Sequence, residues 1–180
     1  MREVKVASVG ALVGLGLLGG VLAGCSVYPG DAAVVSGRHI SQDYLEATSR
    51  DLAPLLTDPS PSSVLSVLVV APSFIDAAAE QGVASSPAEA LALLEESAVA
   101  AGIDPVPEFG EGAIEIALFS LAMQNLQGLD DGTDVVAQIQ TLTSELDVTI
   151  NPRYGVMDPA TGQISPTAPD WIVPAATDAP

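Results

Sequence analysis

One stretch constrains the fold more than any other: VLSVLVVAPSFIDAAAEQ, which reads as a helix over about residues 63–80. It is apolar nearly all round as far as Phe74, so most of it must be buried or must cover another apolar surface. Neighbouring elements therefore have to wrap around it. Pro72 lies inside the run and predicts a kink, or the meeting of two helices. Gly82 marks the stop. The sequence holds a single cysteine, so no disulfide can staple these parts together and packing alone must hold them.

The other segments supply the wrapping. Val34 and Val35 favour a strand, followed by a turn or bulge at Ser36-Gly37. Ser41 then caps a helix, QDYLEATSRDLAPLL, with Leu45, Leu52 and Leu56 on one face, and Pro54 is expected to kink or end it. A third helix opens at Ser86-Pro87-Ala88-Glu89, a capping box with proline at the first helical position. Leu91, Leu94, Ala98 and Ala101 form its stripe, and Gly102 ends it. After the proline- and glycine-bearing connection IDPVPEFGEG, a fourth helix covers about 111–127, closed by Gly128. A fifth starts near Thr133, with Val135, Ile139, Leu142 and Leu146 on its apolar stripe. DVTINP alternates apolar and polar residues as a strand does. A lone strand leaves its backbone unpaired, so residues 33–36 are expected to pair with 147–151. The fold class is mainly α: five helices with two short terminal strands. The proline-, alanine- and threonine-rich tail, 156–180, is expected to be largely without order.

The start of the chain has a different logic. Arg2 and Lys5 precede an uncharged run from Val6 to Gly24 that contains six glycines. A basic start, an apolar middle and small residues before a cut are the layout of a secretory signal. The run is also near the length of a membrane-spanning helix, although its glycines weaken that alternative. It ends in Leu22-Ala23-Gly24-Cys25, which resembles the bacterial lipobox. That resemblance implies attachment of a diacylglycerol to Cys25, cleavage before it, and residence on the outer face of the bacterial cell membrane. Residues 1–24 would then be the signal and 25–31 a tether. Removing 1–24 leaves three basic residues, Arg38, Arg50 and Arg153, against 22 acidic ones. Such a surface repels the phosphate backbone of nucleic acid, which excludes that class of partner. It also repels anionic lipid, so membrane residence would depend on the lipid anchor.

Two segments carry a second resemblance. One is Ala33-Val34-Val35-Ser36-Gly37 with Ile40-Ser41 and the helix after it; the other is Val148-Thr149-Ile150-Asn151-Pro152-Arg153-Tyr154-Gly155. With "VLSVLV…AAAEQGV…SSPAEALALL" between them, they resemble the chaperone region of SurA- and PrsA-type extracytoplasmic foldases over about residues 31–155. In that region a strand and helix open the domain and a strand ending in N-P-R-Y-G closes it. The resemblance implies a SurA-like helical domain over 32–155, with Gly37, Asn151, Pro152, Arg153 and Tyr154 as its structural motif. Ser36 departs from the family's usual asparagine. The family's parvulin-type prolyl isomerase has no counterpart, because only about ten residues lie between the third and fourth helices, where an ordinary domain would be needed. The implied activity is non-enzymatic binding of exported, partly folded polypeptides. The alternatives are a structural subunit serving one envelope partner and a degenerate prolyl isomerase.

No catalytic, cofactor or metal constellation stands out. His39 has no second histidine and no nucleophile at a supporting spacing, and reads as a turn residue. Asp130, Asp131 and Asp134 lack the ligand spacing of a calcium loop and read as helix-capping and dipole-compensating acids. Arg153 is expected to satisfy carbonyls or a carboxylate, and Tyr154 to cover the helices. Trp171 either docks the tail or meets a partner. The second and fourth helices carry more apolar area than a small bundle needs. Either this area is simple core, or Leu68, Val69, Phe119 and Met123 line a groove that holds apolar segments, with methionine adapting to varied partners.

Overall fold

The structure is a computed structural model and describes residues 29–57, 59–158 and 161–165. The expected signal segment, Cys25 and Trp171 lie outside the described residues. The chain runs β1 (Asp31–Val35), β2 (Arg38–Ser41), α1 (Gln42–Leu52), α2 (Pro61–Glu80), α3 (Pro87–Ala100), α4 (Glu111–Gln127), α5 (Gly132–Ser144), β3 (Val148–Ile150), β4 (Val156–Met157) and β5 (Ile164–Ser165).

The mainly α reading holds, and the two ends of the body do meet. β1 pairs antiparallel with β3, Val34 opposite Thr149 and Val35 opposite Val148. The strands are more numerous than the two expected. Ser36 and Gly37 both adopt positive φ, 47° and 87°, which turns the chain straight back into β2. Two such residues make the tight hairpin that suits strand twist. The sheet order is therefore β2-β1-β3.

Local signals fix the helix starts. The Ser41 side chain accepts a hydrogen bond from the Tyr44 amide, and Ser86 and Glu89 form the full capping box. α1 ends two residues before Pro54, so Leu56 falls beyond the helix and is exposed. α3 ends before Gly102, whose φ of 74° only glycine adopts without strain. At α5 the first turn carries Asp134, but Asp131 makes no side-chain cap hydrogen bond, so dipole compensation is its remaining contribution there.

α2 is the hub. It packs most extensively on α4 and also meets α1, α5, β1 and β5. Its Val64, Leu65, Leu68 and Val69 join Ala33, Ile40, Leu45 and Tyr154 in the core beneath the sheet. Its other end, Phe74 and Ala78, packs with Ala122, Leu126 and Ile139. A third cluster joins Leu52 to Ala90, Leu94, Ala113 and Ala117. α2 continues through Pro72 as a single helix rather than two. Proline has no N–H, so the Leu68 carbonyl loses its helical donor. The guanidinium of Arg38 donates to that carbonyl instead.

The tail departs from expectation as far as Ser165. β4 and β5 form a hairpin, Met157 opposite Ile164, that lies on α2. Ile164 is buried, and its amide donates to Ser66 Oγ at 2.9 Å. The physical reason is the apolar flank of α2, which Ile164 and Met157 help to cover. Composition pointed to disorder, but two well-placed apolar residues and the Gly162 turn outweigh it.

Candidate functional site

The four residues expected to line one groove separate into two pairs. Leu68 and Val69 are fully buried in the core beneath the sheet. A helix wrapped on several sides spends those positions on packing, so they are removed from the candidate surface. Phe119 and Met123, one turn apart on α4, remain half-buried. Phe119 meets Phe74 edge to face, with ring centroids 5.2 Å apart and planes at 85°. Together with Val70 and Phe74 from α2 they line an open recess of about 430 Å³. Gln140 and Thr143 of α5 and Thr161 beside β5 form its polar rim. Val70 and Phe74 were not among the expected groove residues; their four-residue spacing on α2 was the signal that could have paired them.

A second recess, about 720 Å³, lies between α3 and the connection to α4. α3 buries Leu94 and Ala98 as expected, but Ala90 takes the place of Leu91, which is half-buried at the recess, and Ala101 is exposed beyond the helix. On α5, likewise, Ile139 is buried while Leu142 is exposed.

Beneath the sheet is a polar network. Arg38 Nη1 donates to Glu115 Oε1 at 2.9 Å, and the Tyr44 hydroxyl donates to Glu115 Oε2 at 2.8 Å. Burial and the Glu115 carboxylate both push the Tyr44 phenol above its ordinary range. The network ties β2, α1, α2 and α4 together, and every member has a partner, as a structural network needs.

His39 is not a turn residue. It sits in β2 with Nδ1 2.7 Å from Asp31 Oδ2, across the hairpin. The N-P-R-Y segment is structural. Asn151 donates from its backbone to Ala32 O and from its side chain to Asp31 O, both at 2.9 Å, which locks the closing segment to β1. Asn151 Oδ1 accepts from the Arg153 amide, the pattern of a side-chain turn. Arg153 reaches the Gln42 side-chain carbonyl at 3.3 Å and lies over the Tyr154 ring at 5.7 Å. Tyr154 is buried in the core. Among the described residues, no group of three or more His, Cys, Asp and Glu side chains is placed to hold a metal. Compared with protein-family models, curated proteins and solved structures, the chain gives no match in any of the three.

Proposed function

We propose that the chain is a lipid-anchored extracytoplasmic protein whose helical domain binds exported, partly folded polypeptides without catalysing a reaction on them. The observation that carries this reading is the open recess of Val70, Phe74, Phe119 and Met123. Its wall is aromatic and thioether, which suits apolar side chains of varied shape. Its rim is polar and uncharged, so it sets few demands on sequence. Shielding of this kind needs only reversible contact and reuses one surface for many clients. The lipobox-like Leu22–Cys25 stretch supports placement at the membrane surface, with Cys25 as the point of attachment.

The test is aggregation of a chemically unfolded client in the presence of the protein. Suppression at near-stoichiometric ratio is expected. Met123→Asp should weaken it by putting charge into the recess, and Thr161→Trp should weaken it by filling the recess from the rim. Full suppression by both folded variants would reject the recess, and no suppression by the native chain would reject the reading. For the anchor, Cys25→Ser should leave the membrane fraction; a variant that still sediments wholly with membranes would overturn attachment there.

A further inference from the structure

The outer face of α3 is unlike a solvated helix face. Leu91, Glu95 and Val99 succeed one another at four-residue steps and so lie on one stripe. Val99 is 66% exposed, and Val106 on the connection is 37% exposed. Phe109 closes the recess, and three carboxylates, Glu95, Glu96 and Glu108, stand among these apolar groups. No basic residue lines the recess. The ion pairs of Arg38 with Glu115 and of His39 with Asp31 lie elsewhere. Like charges gathered around exposed apolar surface carry two costs, mutual repulsion and hydration of the apolar floor. One occupant removes both: a chain bearing apolar and basic side chains.

The spacing narrows its form. Residues four apart on a helix rise by about 6 Å. Alternate residues of an extended strand are about 6.6 Å apart. The apolar–acidic–apolar ladder of Leu91, Glu95 and Val99 therefore registers with apolar, basic and apolar side chains on one face of an extended segment. We propose that the groove between α3 and the 103–110 connection docks an extended polypeptide segment with basic and apolar residues at alternate positions on one face. This rests on the polypeptide-binding reading above and assigns a second, charge-selective subsite to it. An anionic membrane surface is disfavoured by the same carboxylates.

The whole chain, in nonionic detergent, is titrated with three labelled peptides of one length. On the docking face the first alternates Leu with Lys, the second Leu with Glu and the third Leu with Ser. Photo-crosslinking residues are placed at Val99 and, separately, at Met123. The Lys peptide should bind about tenfold more tightly than the Glu peptide, a difference set by charge pairing in the groove. It should crosslink at Val99 and weaken as ionic strength rises from about 0.01 M to about 0.15 M. The double variant Glu95→Lys, Glu96→Lys alters only exposed positions and should reverse the order of the Lys and Glu peptides. Equal binding of all three peptides, or crosslinking at Met123 alone, overturns the charge-selective groove and leaves polypeptide binding standing. Failure of every peptide, together with failure to suppress client aggregation, overturns both.

Discussion

Pro72 and Arg38 solve one problem between them. The proline removes the donor that Leu68 would receive inside α2, and the arginine, arriving from β2, replaces it. Arg38→Met should cost about 1–3 kcal/mol, because it strands a carbonyl and leaves Glu115 with the Tyr44 hydroxyl but no cation. Pro72→Ala restores a backbone N–H to that carbonyl, so the cost of Arg38→Met should shrink by about 1 kcal/mol in that background. Urea denaturation of the four forms measures the cycle, and strict additivity would break the link. Tyr44 gives the network a pH signature. Its folded phenol holds the proton more tightly than the unfolded one, so the unfolded chain loses its proton first as pH rises. The stabilisation is complete below about pH 10 and declines above it. Tyr44→Phe should flatten that decline between about pH 10 and pH 11; an unchanged slope would mean that other groups cause it.

Helices α1 and α4 cross closely enough that one methyl group decides their fit. A Cβ on Gly112 would stand 1.8 Å from Thr48 Oγ1, and Thr48 is itself buried and donates to the Tyr44 carbonyl. Alanine is a better helix former by up to about 1 kcal/mol. Overpacking costs about 1–3 kcal/mol, so Gly112→Ala should destabilise. Thr48→Ala removes the clashing oxygen and should recover much of that loss; equal costs in both backgrounds would show that the crossing relaxes elsewhere. Elements such as these were legible to different degrees. Capping serines, the capping box and the glycine stops are local chemistry, and they placed α1, α3 and α4 closely. Pairing of β1 with β3 followed from the need to satisfy lone strands. β2 was missed because RHIS shows no clean alternation and is defined by the turn before it. The β4–β5 hairpin was missed because composition says nothing about the uncovered side of α2. The candidate surface was half legible: the apolar excess of the second and fourth helices pointed to all four residues, but only the packing of α2 on several sides separates Leu68 and Val69, which are core, from Phe119 and Met123. The α3 groove depends on Leu91, which the stripe through Leu94 and Ala98 placed in the core but which Ala90 displaces to the rim, a choice between neighbours that periodicity could not resolve.

Charge acts on the molecule as a whole. The sequence carries −18, and it would carry −19 without residues 1–24; of its five basic residues Arg38 pairs with Glu115, while Arg153 bonds the neutral side chain of Gln42. Dispersed carboxylates therefore repel one another across the folded surface, and folding brings them closer than the unfolded chain does. Salt weakens that repulsion over about 10 Å at moderate ionic strength. Raising ionic strength from about 0.01 M to about 0.15 M at neutral pH should thus raise the melting temperature, by roughly 2–4 °C for each kcal/mol of relief. The gain should fade as pH approaches the isoelectric point near 4.1, where the carboxylates titrate. A melting temperature that stays flat or falls with salt at neutral pH would refute this account. The same measurement sharpens the test of the α3 groove, because the two effects have opposite signs. Salt should stabilise the body while loosening a basic segment held by Glu95, Glu96 and Glu108. Loss of the Lys peptide at high salt can then be read as loss of docking and not of fold, provided the melting temperature rises across the same range.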